Sequence, residues 1–298
     1  MKRLLLIIPL FIFSCSGSKK AVEHNAGSAQ SSVLKAKVKQ DSTGIKTKNA
    51  EKISDTIIET PKDTLIDSLK TEDFNQVLTK RTFYLHQLWD DLLQKYVSNE
   101  GLVNYKSLKT EQKDLYGYIH VLNLAYQHNS FSTLSKEEKL AYWINAYNAF
   151  TVDLIIRNYP IKSIKDIKNP WKQRHWKLGD KWYNLDEIEH QILRKMDEPR
   201  IHFAINCASV SCPKLQNRAF TGSNLEIQLD QATKDFINDS SQNVISNEAI
   251  TISKLFQWFA KDFKKEGSLI DFLNQYSKVQ ISNQAKKSFM DYNWNLNE

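Results

Sequence analysis

Glycine is scarce in this sequence, and the common nucleotide-binding and metalloprotease signatures are missing. Only 8 of the 298 residues are glycine, so phosphate binding by a glycine-rich loop is not expected, and no Walker loop, dinucleotide fingerprint or His-Glu-x-x-His pattern appears. The formal net charge of +7 is dispersed, with no block of five or more Lys and Arg residues, which argues against a nucleic-acid partner. We therefore predict no nucleic-acid partner and no cofactor.

Aromatic residues are also missing from residues 16–73, although the chain has 14 Phe, 7 Trp and 12 Tyr. A segment without aromatics that is rich in Ser, Thr, Lys, Asn and Gln cannot build a core, so we predict a flexible tether over residues 15–75. Residues 76–298 hold nearly all of the aromatics, and 41% of the whole chain is hydrophobic. This is enough for one globular domain, and it excludes both a disordered chain and a polytopic membrane protein.

The N-terminus has the pattern of an export signal. Lys2 and Arg3 precede an apolar run over residues 4–13, which fits a signal h-region and is too short to span a bilayer as a helix. The Ser14 and Cys15 that follow resemble a bacterial lipoprotein signal, in which residues 1–14 are removed and Cys15 is lipidated. Ordinary secretory cleavage, with Cys15 incidental, is the alternative. Acylation would anchor the chain to a membrane, so we predict a location in the cell envelope, on a periplasmic or surface face.

Helical patterns dominate the globular part. Apolar spacings of three and four residues predict an amphipathic helix over residues 82–96, and a longer helix begins at a capping box at Ser135 and must end before Pro160. Further helices are predicted after Asn184, over residues 223–236, and twice near the C-terminus, with Gly267 ending the first of that last pair.

Strand patterns are short and scattered. Hairpins are predicted around Gly179 and over residues 244–252, and alternation over residues 200–207 predicts one strand. There is no regular succession of strands and helices. We therefore predict the α+β class: a helix-rich single domain with short antiparallel hairpins and one central strand.

The predicted helix after Asn184 places a carboxylate among apolar residues. At about 100° per residue, Glu189 falls within the apolar stripe, where an unpaired charge would be costly. His190 lies on the flank of that stripe. In a catalytic interpretation His190 is a general base that Glu189 orients; in a structural one Glu189 braces a turn or pairs with an arginine such as Arg200.

Cys207 and Cys212 are the only cysteines besides Cys15. Cys207 ends the predicted strand and opens a loop of small residues whose backbone N–H groups could approach an oxyanion, which suits a thiolate nucleophile. His202 is an alternative base, although the strand register points it to the other face. The separation suits a Cys207–Cys212 disulfide equally well. A metal site at His202, Cys207 and Cys212, with His190 added, matches no usual zinc spacing, so we predict no metal.

Two amides, Asn145 and Asn148, share one face of the helix that follows Ser135. In an active site they could orient an imidazole or donate to an oxyanion. Alternatively, they hold a neighbouring loop through bonds from side chain to backbone.

The sequence resembles the family called domain of unknown function 547 from about residue 82 to the C-terminus. The resemblance rests on residues 142–150, 185–190, 200–213 and 292–297, with shorter matches before and between them. Asn293 departs from the pattern, where Asp is expected. The resemblance implies a bacterial lipoprotein-type member and brings no established activity with it.

Two functional hypotheses follow. The first is a thiol-dependent hydrolase or acyl transferase of the cell envelope that acts on a peptide-like or cell-wall amide, with Cys207, His190 and Glu189 as catalytic residues and Asn145, Asn148, Arg200 and His202 in support. The second is a non-catalytic binding or assembly module that a Cys207–Cys212 disulfide stabilises.

Overall fold

The computed structural model describes residues 85–298, which fall within one unit, Pro61–Glu298. The predicted signal peptide over residues 1–14, the tether over residues 15–75 and the lipidation site Cys15 lie outside the described residues. Among the helices of residues 85–298, none is long and apolar enough to cross a membrane.

Helix α4 is the centre of the larger hydrophobic core. The first four helices are α1 (residues 85–96), α2 (Tyr105–Thr110), α3 (Gln112–Gln127) and α4 (Lys136–Asn158). The predicted capping box at the start of α4 is confirmed, because Ser135 and Glu138 exchange side-chain and backbone hydrogen bonds. Nearly every residue of α4 beyond its first turn is buried, so other elements surround it on all sides.

Both predicted hairpins are confirmed. Strands β1 (Trp176–Leu178) and β2 (Lys181–Tyr183) are antiparallel, and Gly179 in their turn has a φ of 61°, which favours glycine. Strands β3 (Val244–Ile245) and β4 (Ala249–Ile252) form the second hairpin. Strand β5 (Lys286–Phe289) adds to β4 in parallel. No pattern predicted β5, because its four residues are all exposed and do not alternate.

The remaining helices are short and irregular. Helix α5 (Leu185–Glu187) widens into a π-helical turn at Ile188–Ile192 and ends in a 3₁₀ turn, Leu193–Lys195. Helices α6 (Leu225–Ile237), α7 (Leu255–Trp258) and α8 (Leu269–Tyr276) follow. The helix predicted to precede Gly267 is broken into α7 and a 3₁₀ turn, Asp262–Lys264. Helices thus dominate over two small sheets, which confirms the α+β class.

The predicted central strand over residues 200–207 is wrong. Residues Pro199–Phe203 form a 3₁₀ helix instead. The backbone beyond it bonds to a side chain rather than to another strand: Asn148 of α4 donates to the Ala204 carbonyl and accepts from the Asn206 N–H, both at 2.9 Å. Residues at both the apolar and the polar positions of the alternating pattern are buried. The polar positions therefore did not mark a face exposed to solvent.

The C-terminal segment after β5 runs back across the domain and ties three loops together. The Asn297 carbonyl accepts the Val103 N–H at 2.7 Å, and the Asn295 carbonyl accepts the Val210 N–H at 2.9 Å. The Leu296 N–H donates to the Lys162 carbonyl at 2.9 Å. This path carries Tyr292 and Trp294 towards the loop that holds the cysteines.

Replacing Asn148 with Ala should lower the free energy of unfolding by about 2–5 kcal/mol, because two buried backbone groups lose their partner at once. Urea denaturation at neutral pH measures this change in the free energy of unfolding. Asn295→Ala, at an exposed side chain, is the matched control and should change stability by about 0.5 kcal/mol or less. Equal losses in the two variants would contradict the role that we give to Asn148.

Candidate functional site

A cavity of about 730 Å³ lies beside the loop that holds the cysteines. Five of the residues predicted from sequence line it: Glu189, His190, His202, Cys207 and Cys212. Large aromatic side chains form much of the remaining wall: Trp171, Trp258, Phe259, Tyr292 and Trp294. A mostly apolar cavity with a few converging polar groups is the usual form of a small-molecule site.

Cys207 and Cys212 are joined by a disulfide, with their Cα atoms 6.3 Å apart. The loop between them is also closed by Asn206, whose side chain donates to the Pro213 carbonyl at 2.7 Å and accepts the Ala208 N–H at 2.7 Å. The Ala208 N–H is therefore already engaged. It is not available to an oxyanion, so the expected approach of a backbone N–H from this loop cannot use Ala208.

The two sulfurs have different surroundings. The Cys212 Sγ lies 3.1 Å from each of three groups: the Cys207 N–H, the Ser209 hydroxyl and the Tyr292 hydroxyl. The Cys207 Sγ has longer contacts, 3.7 Å to Ser209 and 3.5 Å to Tyr292. Cys212 is 8% exposed, whereas Cys207 is half-buried. Cys207 therefore presents the more accessible sulfur.

The buried imidazole of His202 pairs with the partly buried carboxylate of Asp262 beside the cavity. The His202 Nε2 lies 2.8 Å from the Asp262 Oδ2, and the imidazole stacks on Phe259 with ring centroids 4.0 Å apart. Burial lowers the pKa of His202, and the nearby Asp262 only partly opposes this. The imidazole is therefore neutral at pH 7, with its proton on Nε2. Because Asp262 engages Nε2, the Nδ1 of His202 carries the lone pair of the neutral ring.

This position of His202 corrects the strand-based prediction that it points away from Cys207. The prediction assumed a strand that continues to Cys207, but the segment is a 3₁₀ helix that ends at Phe203, and His202 and Cys207 line the same cavity.

Sequence reasoning missed Asp262, although its carboxylate accepts the hydrogen bond that fixes the His202 ring. Burial acts to raise the pKa of Asp262, but hydrogen bonds from His202 and Arg194 outweigh it and keep the pKa well below its usual range. Arg194 donates twice, at 2.6 and 3.0 Å. Because His202 is neutral, Arg194 supplies the positive charge. The only signal was an acidic residue in an aromatic-rich helix, which does not specify a partner sixty positions away.

Glu189 and His190 bond to other residues rather than to each other. Glu189 is buried and accepts from the Tyr147 hydroxyl at 3.1 Å. The ring of His190 instead contacts Arg194, with Nδ1 at 3.0 Å, and Asp186, with Nε2 at 3.8 Å. Burial raises the pKa of Tyr147 well above its usual range, so its hydroxyl remains a donor.

The alternative pairing of Glu189 with an arginine such as Arg200 is not formed with Arg200. Arg200 binds Glu198 and Glu226, each through a bond of 2.7 Å. These carboxylates are nearer along its own loop and on α6, and Arg200 does not line the cavity.

Asn145 and Asn148 hold loops rather than line the cavity. Asn145 donates to the Phe220 carbonyl at 2.7 Å and accepts the Phe220 N–H at 3.0 Å. Asn148 likewise donates to the Ala204 carbonyl and accepts the Asn206 N–H. Both amides are buried and bond to backbone groups of these loops, and neither lines the cavity.

Three lysines that are close in sequence line the cavity: Lys165, Lys168 and Lys172. The Lys165 Nζ sits 4.1 Å from the centre of the Trp294 ring, an arrangement that favours a cation over an aromatic face. Asp186 and Glu189 line the cavity as well. Within residues 85–298, no group of three or more His, Cys, Asp or Glu side chains is arranged to hold a metal ion.

Residues 131–237 match the model of a family described as protein of unknown function, DUF547. This supports the family resemblance over that part of the chain. The matched region contains His190, His202 and Cys207, but it stops before Asp262 and Tyr292. No curated protein and no solved structure matches the chain.

Replacing Asp262 with Asn should lower stability at pH 7 by about 1–3 kcal/mol, because charged hydrogen bonds to Arg194 are lost. The pKa of Asp262 is lowered by folding, so its stabilisation is present above the unfolded-state pKa and is lost as the pH falls. The deficit of the variant should therefore shrink between about pH 5 and about pH 3.

Urea denaturation at stepped pH measures the effect of Asp262→Asn. Asp291→Asn is the control, because Asp291 is fully exposed and pairs with Lys254 at 3.0 Å; it should have little effect at any pH. A deficit for Asp262→Asn that stays constant down to about pH 3 would show that its charge is not the source.

Proposed function

We propose that the reduced domain is a thiol-dependent hydrolase or acyl transferase that acts on a peptide-like or cell-wall amide. The observation that carries this proposal is the shared cavity of Cys207 and His202, with Asp262 behind His202. A nucleophile, a base and a group that orients the base are the parts that acyl transfer needs.

The chemistry begins when the Cys207 thiol gives its proton to an imidazole of the cavity. The thiolate attacks the amide carbonyl carbon, and the tetrahedral intermediate expels the amine, which takes the proton. An acyl thioester then remains on Cys207. Water releases the acid in a hydrolase, and a second amine accepts the acyl group in a transferase. The disulfide form cannot begin this sequence, because its sulfurs carry no thiolate.

We assign the base to His202 in preference to His190. The Nδ1 of His190 already accepts a hydrogen bond from Arg194, and a guanidinium can only donate. The Nδ1 of His202 retains its lone pair, while Asp262 holds the opposite edge of the ring. Glu189 and His190 then belong to the cavity wall and contact substrate rather than the thiol.

The lining also supports the proposed substrate class. The three lysines suit a carboxylate, and the tryptophans and Tyr292 suit the flat faces of amides or sugar rings. Asp186 and Glu189 suit an amine or another donor. Peptide-like ligands and cell-wall fragments carry all of these groups.

A non-catalytic binding module is the second candidate, and the disulfide itself favours it. If the disulfide persists in the functional protein, the cavity is a binding site and the cysteines only stabilise the loop. The same aromatic and basic lining would then bind the ligand without acyl transfer.

In the reduced protein, an electrophilic acyl probe should label Cys207 and not Cys212. Cys207→Ser should abolish labelling, and His202→Ala should slow it by about 10²-fold or more, because the base is lost. Peptide mapping by mass spectrometry identifies the labelled residue. His128→Ala, at an exposed imidazole away from the cavity, is the control and should label at the wild-type rate.

Two results would favour the binding module instead. One is a bridge that mass spectrometry without reductant finds to be quantitative and that excess dithiothreitol does not open. The other is a reduced Cys207 that labels no faster than Cys212 near neutral pH.

We also propose that Cys15 is lipidated and that the chain is anchored in the cell envelope. A cell that expresses the chain should incorporate an alkyne-tagged fatty acid into it, and Cys15→Ser should remove the label and release the protein from the membrane fraction. Cys207→Ser is the control and should leave the label in place. Labelling that survives Cys15→Ser would refute the assignment.

A further inference from the structure

The environments of the two sulfurs determine which of them an incoming thiol attacks and which leaves. In thiol–disulfide exchange, the attacking thiolate approaches an accessible sulfur, and the partner sulfur leaves as a thiolate. Exchange is faster when the leaving thiolate is stabilised. Access and stabilisation therefore select which sulfur of a bridge is attacked.

Access favours attack on Cys207. Both cysteines line the cavity, which is large enough to admit a small thiol, but Cys207 is half-buried whereas Cys212 is only 8% exposed. Hydrogen bonding favours departure of Cys212. One backbone N–H and two hydroxyls, from Ser209 and Tyr292, lie 3.1 Å from its sulfur. Donors at that distance stabilise a developing negative charge.

Tyr292 is suited to this role because it stays protonated. Burial raises the pKa of Tyr292 to about 12, so the hydroxyl remains a donor near neutral pH. The hydrogen bonds of the C-terminal segment also fix its position, since the Ser211 N–H donates to the Asn293 carbonyl at 3.2 Å and the Asn293 N–H donates to the Ser211 hydroxyl at 2.9 Å.

We propose that the Cys207–Cys212 bridge is an exchangeable disulfide that takes small thiols through the cavity, with Cys207 as the attacked sulfur and Cys212 as the leaving group. The incoming thiolate forms a bond to the Cys207 sulfur as the Cys207–Cys212 bond breaks, and Cys212 departs as a thiolate. A second small thiol then attacks the sulfur of the first, which yields a free small-molecule disulfide and reduced Cys207.

The electrons balance, because two small thiols are oxidised to one disulfide while the protein disulfide is reduced to two thiols. The reverse sequence oxidises the protein with the small-molecule disulfide. This inference goes beyond the proposed function and does not need it, since exchange requires only the bridge and access to it.

Glutathione tests the direction of exchange. The full chain carrying Cys15→Ser, which leaves Cys207 and Cys212 as its only cysteines, is mixed with reduced glutathione. The reaction is quenched with acid at intervals, and the mixed disulfide is located by peptide mapping. We expect the adduct on Cys207 to exceed that on Cys212 by about 10-fold or more.

Tyr292→Phe tests the stabilisation of the leaving group. It should slow adduct formation by about 3- to 10-fold, because one donor to the Cys212 sulfur is lost, without moving the adduct from Cys207. Tyr116→Phe, at an exposed ring away from the cavity, is the matched control and should react at the wild-type rate. If Tyr292→Phe does not fold, as judged by circular dichroism, Ser209→Ala removes another donor to the same sulfur.

Several results would overturn the inference: an adduct mainly on Cys212, an adduct divided equally, no adduct at millimolar glutathione, or equal rates for Tyr292→Phe and Tyr116→Phe. Failure of oxidised glutathione to convert the reduced Cys207 and Cys212 thiols back to the disulfide would also overturn it. Acyl-probe labelling of the reduced protein is a separate readout, so a failure of the proposed hydrolase leaves these outcomes unchanged.

Discussion

The two hydrogen bonds that Asn148 makes to the chain between Ala204 and Asn206 are the constraint on which the site depends. This segment connects His202 to Cys207, and no strand within residues 85–298 pairs with it. A buried backbone without partners would be strongly destabilising. The central helix α4 supplies those partners from one amide side chain, and so fixes the imidazole and the sulfur relative to each other.

Helix α4 repeats this arrangement along its length. Asn145 makes the same pair of bonds to Phe220, and the buried Asp153 accepts from the Trp176 indole and from Arg157, both at 2.7 Å. In an α+β domain with only small sheets, much of the irregular backbone must be satisfied by side chains. Polar residues on the most buried helix therefore determine where the loops around it lie.

Features that depend on local sequence were predictable. The capping box of α4 and the turn at Gly179 are set by residues within a few positions of one another, and both appear as expected. The 3₁₀ helix at Pro199–Phe203 was not predictable, because the partner that replaces a strand is Asn148, more than fifty residues earlier in the chain. Alternation alone cannot distinguish a strand from an irregular segment that is buried on both sides.

The candidate site was predictable by residue type but not by pairing. Cys207, His190 and Glu189 were chosen for their chemistry, and all three line one cavity. The partner of His202 was not recoverable, because Asp262 lies sixty positions away and meets it only in the folded chain. Arg194 contacts His190 as well as Asp262, and this distinguishes the two imidazoles, which sequence alone could not do.

The loop of the cysteines is held by contacts that do not involve the disulfide. The Asn206 side chain closes it onto Pro213, the Cys212 N–H donates to the Ser209 carbonyl at 3.0 Å, and the C-terminal segment binds Val210 from outside. Opening the bridge removes none of these bonds. The loop should therefore keep its conformation in both redox states, while His202 stays fixed by Asp262 on a separate element. A change in the oxidation state of the cysteines then alters the chemistry of the cavity without changing the conformation of the residues that line it.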